Sequence, residues 1–339
     1  MDEGSSCFSD SQFSCEGCEN TICSFVVLSE SLENLLQFLY DHGVLPKTKT
    51  CPKCGSDMVL DENNYNFNCN IECKTSVSQL IGTWFENSEL TMKVICRFVM
   101  FWALLHSPRQ YILQQELDLP TNTIVEWSNF LREVCFHYIM SYTEPIGGKG
   151  KVVEIEEAKI GSRKYHPGRI IEDNWVFTGV ERGSKKTFMI SVPTENHGTL
   201  LSVIKEYIMP ETTIISKSLE TYQCLEFEGY DQVSHLTAEH NYNIIDTDRG
   251  SNTQIIQRIC RDIKSYVPRF INRKHHFNGY IAEFLFKRKF NNYRKRLHNL
   301  WMAIADLHDG SESNRRCQPP VQQSELQDSG NDYQETRYR

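Results

Sequence analysis

The chain has 339 residues, 40% hydrophobic and 24% charged, which suits a soluble protein of two or three folding units and speaks against wholesale disorder. A net charge of -8 speaks against a uniformly basic surface. Between Arg258 and Leu297, however, twelve Lys and Arg stand against two acids, Asp262 and Glu283, so this stretch carries +10 and the remainder -18.

Met1 to Ser14 lacks the basic start and apolar core of a secretory signal and carries Asp2 and Glu3, so an intracellular protein is expected. The first segment, rich in Ser, Asp, Glu and Cys, reads as a flexible tail over residues 1–27. Within it Cys15 and Cys18 have metal-ligand spacing. Whether Cys7, Cys15, Cys18 and Cys23 hold a metal is left open by the sequence. Leu28, Leu32, Leu35, Leu36 and Leu39 recur at helical spacing and predict an amphipathic helix over 29–42, ended by Gly43 and Pro46.

Cys51 and Cys54 are two residues apart, and Cys69 and Cys73 three, with fourteen between the pairs. Two such thiolate pairs satisfy the tetrahedral preference of zinc, and Lys53 and Gly55 suit the turn that presents the first. Four protein ligands leave no open position, so the expected role of this zinc ribbon is structural. Thirteen cysteines without a secretory signal agree with metal binding rather than a disulfide framework.

A helix is predicted over 91–106. Val94 to Leu105 is its most apolar run, too short to cross a membrane, which takes about 20 residues. Ser107 and Pro108 cap a second helix, Asp118 to Thr121 break it, and a third runs over 122–140 with Ile124, Trp127, Leu131, Val134, Cys135 and Tyr138 inward. That pattern is compatible with helix-turn-helix. Gly147, Gly148 and Gly150 then mark a linker, after which the period changes to that of strands.

Strands are predicted at 151–158, 174–181 and 186–192, a helix at 198–209, a strand at 212–216, a helical turn at 218–226, a strand at 232–236 and a helix at 252–266. The order βββαβαβα is that of a ribonuclease-H-like mixed α/β domain. The expected fold class is therefore α+β multidomain. Its parts are a tail (1–27), a helix plus zinc ribbon (28–85), a helix-turn-helix-like region (86–146), a ribonuclease-H-like domain (147–300) and a disordered tail (301–339).

The segments CPKCGSDM, IGTWFENSELT, GRIIEDNWVFTGVERGSKKTFMISV, YIMPETTIIS and NTQIIQRICRDIKSYVPRF together resemble the Merlin superfamily of DDE transposases, relatives of bacterial insertion-sequence transposases. The resemblance implies DNA strand cleavage and transfer by three carboxylates that hold two magnesium ions. In the first motif, VEIEEAK, Glu156 stands where the aspartate belongs. Lys217 follows TIIS where relatives carry the second aspartate, and Gln257 takes the place of the glutamate. Cys260 replaces a tryptophan expected a little later.

An ammonium has no lone pair to give a cation and a carboxamide only a neutral oxygen, so magnesium is expected not to bind. Glu157, Glu220, Asp246, Asp248 and Asp262 are near in sequence. Glu157, though, points to the opposite strand face from Glu156, and Glu220 lies almost a helical turn from Lys217. The expectation is a domesticated protein without strand-transfer activity, in the nucleus, bound to double-stranded DNA, with zinc as its structural ion. A homodimer is a further expectation from the resemblance, and no membrane is involved.

Arg258, Arg261, Lys264, Arg269, Arg273, Lys274, Lys287, Arg288 and Lys289, with Arg294, Lys295 and Arg296 beyond them, are the candidate phosphate contacts. The alternatives are an active transposase with a rearranged acid set and a protein-interaction module without DNA affinity.

Overall fold

In the computed structural model of the protein the described residues are 15–61, 65–69, 73–86, 88–107, 109–160, 174–192, 197–216, 225, 229–230, 232–235, 254–268 and 274–308. The first elements are α1 (Ile22–Leu28), α2 (Leu32–Asp41), β1 (Lys49–Thr50), β2 (Asp57–Asp61), β3 (Asn66–Asn68) and β4 (Ser76–Ser78). Then come α3 (Met92–Leu104), α4 (Gln110–Leu117), α5 (Thr121–Tyr142), β5 (Ile146–Gly147), β6 (Val152–Ile160), β7 (Asn174–Glu181) and β8 (Thr187–Val192). The remainder are α6 (His197–Tyr207), β9 (Ile208–Met209), β10 (Thr213–Ser216), β11 (Gln232–His235), α7 (Gln254–Tyr266), α8 (Lys274–Lys289) and α9 (Tyr293–His308).

The protein is thus mixed α and β, with nine helices among the described residues. No single helix among them is long and apolar enough to cross a membrane. The predicted helical turn at 218–226 lies outside the described residues except for Leu225.

The helix expected over 29–42 is α2, and a further helix, α1, precedes it. The Thr21 side chain accepts from Ser24 N and opens α1, while the Ser31 side chain accepts from Asn34 N and opens α2. The tail expected over 1–27 therefore contains most of α1, whose Phe25 is fully buried. Burial of one such side chain stabilises by about 1.5–3 kcal/mol. At the other end, α9 runs to His308 with Trp301 fully buried, so the tail expected over 301–339 begins inside a packed helix. Both boundaries rest on composition, in which an amphipathic helix beside a polar stretch is diluted.

One core is built from α1, α2, α3, α4, α5, α8 and α9, around Phe25, Leu35, Phe98, Trp102, Leu131, Phe286 and Trp301. A domain limit at 146/147 therefore does not separate two cores, since α8 and α9 lie beyond it in sequence and pack with the helices before it.

The larger sheet has five strands in the order β11-β10-β6-β7-β8. β7 is antiparallel to β6 and to β8, whereas β10 is parallel to β6 and to β11. The alternation of β6 feeds two layers. Val153 and Ile155 pack with Leu200, Val203 and Ile204 of α6, and Ala158 and Ile160 pack with Ile256, Ile259, Ile263 and residues of α8. Gly179 of β7 is required here, because a β-carbon at this position would overlap the Phe188 ring of β8.

Candidate functional site

The four-stranded antiparallel sheet β1-β2-β3-β4 carries the cysteine motif. Cys51 N donates to Ser56 O and Gly55 N to Cys51 O, both at 2.8 Å, and Gly55 adopts φ +70°, which closes the knuckle between the first two thiols. The sulfurs converge: Cys51–Cys73 3.4 Å, Cys54–Cys69 3.6 Å, Cys54–Cys73 3.5 Å and Cys69–Cys73 3.1 Å. Hydrogen bonding with Cys69 and Thr75 brings the Cys73 thiol down to about 6, and hydrogen bonding with Ser56 lowers Cys54, so both are disposed to act as thiolates. Four sulfurs within 4.8 Å of one another fit the tetrahedral demand of zinc, and Cys51, Cys54, Cys69 and Cys73 would hold it.

On the larger sheet, Glu156 lies in β6 opposite Thr178 of β7. It occupies the face covered by α7, where the Cys260 thiol meets both side chains. Burial and the Glu156 carboxylate push that thiol up to about 12. Gln257 is half-buried on the same helix. β10 ends at the buried Ser216, and Lys217 lies outside the described residues.

A carboxylate not singled out from the sequence sits two residues before Glu156. Glu154 is fully buried, accepts from Arg182 Nε at 2.7 Å and accepts from the backbone N–H of Ile256 at 3.3 Å. Ile256 lies in the first turn of α7, whose amides have no partner within the helix, so Glu154 both caps α7 and fixes its start over the sheet.

The predicted cationic residues divide. Arg258, Arg261 and Lys264 lie exposed along α7 while Ile256, Ile259, Cys260 and Ile263 face the sheet, which makes the solvent side of this helix basic. Lys289 is exposed at the end of α8 and Arg288 is half-buried, its Nε 3.5 Å from Thr187 Oγ1. Arg269 and Arg273 lie outside the described residues, as does the side chain of Lys274.

Lys287 is a correction: it is buried and donates to Trp102 O at 2.7 Å and Leu105 O at 3.2 Å, beyond the reach of a phosphate. Arg296 is buried likewise, donating to Phe290 O and Ala103 O. Both cations satisfy carbonyls at helix ends, a demand invisible in a count of charges.

The two helices of the predicted helix-turn-helix-like pair are α4 and α5. Asp118 at φ +50° ends α4, and Pro120 precedes α5. The face that α5 leaves to solvent carries Asn122, Val125, Glu126, Phe130, Glu133 and Phe136. Its one Arg, Arg132, turns inward to Glu283 at 3.1 Å. This helix therefore presents no cation to a phosphate backbone.

Glu283 is the centre of a buried network. It accepts from Arg109 Nη2 and Tyr266 Oη, each at 2.6 Å, from Arg132 Nε at 3.1 Å, and lies 3.3 Å from Lys287 Nζ. Burial alone would raise its pKa, but Arg109, Lys287, Arg132 and the Tyr266 hydroxyl outweigh it and hold the carboxyl below the usual range. Burial and the Arg109 charge push Lys287 down to about 7 against the pull of Glu283.

A second group of metal-type ligands lies among the helices: Cys15, Cys18, His42 and His298. Cys23, grouped with Cys15 and Cys18 by sequence, is instead exposed on α1.

No curated protein matches the chain. Residues 144–289, which run from just before β5 to the end of α8, match the family model of the ISXO2-like transposase domain. The chain therefore carries a transposase-family domain, related to the DDE type, over these residues.

Proposed function

We propose that this is a domesticated transposase of the Merlin type that binds double-stranded DNA in the nucleus as a regulatory or chromatin-associated protein, without strand-transfer activity. The observation that carries the reading is the donor set beside Glu156 in the transposase-family domain. The neighbour supplied by α7 is a thiol, Cys260, and the residue in place of the third carboxylate is the amide Gln257. A magnesium pair needs hard, anionic oxygen ligands, and this set does not fit it. A ribonuclease-H-like identity is supported by the sheet order, in which three antiparallel strands are extended by two parallel ones beside β6. Zinc in the ribbon is structural in this reading, and a homodimer is the proposed assembly.

DNA contact is assigned to the solvent side of α7, through Arg258, Arg261 and Lys264, and not to α5. The test titrates zinc-loaded protein against random and terminal-repeat-like duplexes at two salt concentrations with magnesium present, then inspects the DNA for nicks. Salt-sensitive binding without nicks is expected. Nicks abolished by Glu156→Ala would establish an active site with rearranged acids instead.

One observation favours a second reading, a protein-interaction module: α4 and α5 leave Tyr111, Ile112, Val125, Phe130 and Phe136 exposed. Absence of DNA binding at low salt would select it.

A further inference from the structure

We infer that Cys15, Cys18, His42 and His298 form a second zinc site, which ties the N-terminal segment and the end of α2 to α9. Cys15 and Cys18 have the two-residue spacing of a zinc knuckle, and the ligand atoms of all four residues lie within 4.8 Å of one another. The separations are 3.6 Å from Cys15 Sγ to His298 Nδ1, 3.4 Å from Cys18 Sγ to His42 Nε2, 3.8 Å from Cys18 Sγ to His298 Nδ1 and 3.0 Å between the two imidazole nitrogens. A tetrahedral zinc with bonds of about 2.3 Å to sulfur and about 2.0 Å to nitrogen spaces its ligand atoms about 3.3–3.8 Å apart. Two thiolates and two imidazoles select zinc over magnesium or calcium, which take oxygen.

The surroundings are those of a prepared site. His42 Nδ1 lies 2.7 Å from Phe38 O, to which it donates, so that Nε2 turns its lone pair toward the cluster. The ring is nearly inaccessible and is held against Phe38, with centroids 4.0 Å apart. Asn20 Nδ2 donates to Cys18 Sγ at 3.3 Å, the contact that stabilises a thiolate ligand. The segment carrying the cysteines is itself docked, with Cys15 N donating to Asp41 O at 3.1 Å and Asn20 N to Arg294 O at 2.9 Å. His298 sits on the buried side of α9, three residues before Trp301.

The site closes the helical core between chain positions 283 residues apart, from Cys15 to His298. Clips across long loops remove the most freedom from the unfolded chain, so a metal here fastens α9 and the N-terminal segment onto the helical core. The site is independent of the DNA-binding reading, and its test uses no DNA.

The test is metal content of the purified full chain by mass spectrometry, with the cobalt-substituted protein examined by absorption. Two zinc ions per chain are expected, falling to one in Cys18→Ser and to one in Cys54→Ser, and to none when both are changed. Cobalt should show sulfur charge transfer from six thiolates and a ligand field that mixes an S4 with an S2N2 centre. One zinc per chain, unchanged by Cys18→Ser and His298→Asn but lost with Cys54→Ser, would overturn the inference and leave a hydrogen-bonded Cys and His cluster only. Should Cys18→Ser not fold, the wild-type cobalt spectrum decides: intensity for four thiolates and a pure S4 field overturn it equally.

Discussion

The Glu154 carboxylate accepts a hydrogen bond from the Ile256 amide across 102 residues of sequence, and this contact sets the start of α7 against β6. Glu156 and Gln257 are each within two residues of one partner, so the contact fixes the strand that carries the first against the helix that carries the second. Glu154→Gln keeps the shape and removes the charge that both Arg182 and the helix terminus face. Hydrogen bonds to charged groups contribute about 1.5–3 kcal/mol, so a loss of that size in urea unfolding is expected. Amide exchange should quicken in the first turn of α7 and stay unchanged in α3. Uniform quickening through both helices would show that Glu154 has no local capping role.

Glu283 predicts an acid-sensitive helical core. Its folded pKa lies below the unfolded value, so the folded state keeps it ionised where the unfolded chain would take up a proton. The stability it contributes is fully present above the ordinary carboxylate range and is lost as pH falls through that range toward the folded pKa. Glu283→Gln should cost about 3–5 kcal/mol, because Arg109, Arg132 and Lys287 are left buried against one another. It should also flatten the fall in stability between neutral and acidic pH. A variant as acid-sensitive as the wild type would assign that sensitivity to other groups.

The five-strand sheet was legible because its first three strands read as alternating or continuous apolar runs bounded by polar turns, and β6, β7 and β8 lie within two residues of their predicted limits. The convergence of Cys51, Cys54, Cys69 and Cys73 was legible because ligand spacing is a local property. What local pattern cannot carry is partnership at long range. Glu283 meets Arg109 from 174 residues away and Arg132 from 151, and neither looks paired in sequence. His42 and His298 converge only because α2 and α9 pack on one core, so no spacing announces them. Lys287 and Arg296 mislead a charge count because their cations cap carbonyls inside the fold.

That division of the basic stretch yields a prediction in salt dependence. If α7 meets the phosphates, replacing Arg258, Arg261 and Lys264 by Ala should weaken DNA binding similarly on all sequences. It should also lower the slope of log affinity against log salt by about 0.9 for each phosphate that is no longer neutralised. Lys287→Ala should instead lower the thermal midpoint and leave the slope of the folded fraction where it was, since its ammonium is spent on Trp102 O and Leu105 O. Equal slopes for wild type and the α7 variant would remove this helix from the interface.

If Glu156, Lys217 and Gln257 deprive the domain of its metal ions, restoring the family's carboxylates should bring the ions back. Glu156→Asp, Lys217→Asp and Gln257→Glu together restore the three carboxylates at the positions where the resemblance places them, and Cys260→Trp removes the thiol that faces Glu156. Lys217→Asp and Gln257→Glu add the missing carboxylate oxygens while Glu156→Asp only shortens one already present, so a gain should appear as divalent-ion binding before any chemistry. Magnesium or manganese should raise the thermal midpoint of the restored protein and leave that of the wild type unchanged, since an ion bound only by the folded state stabilises it by mass action. Nicking of duplex DNA by the restored protein, absent from a control that keeps Lys217, would then identify the charge at this position as what silences the domain. A wild-type protein that already shifts with magnesium would mean that other acids hold the ions, and the proposal of an inactive site would fall.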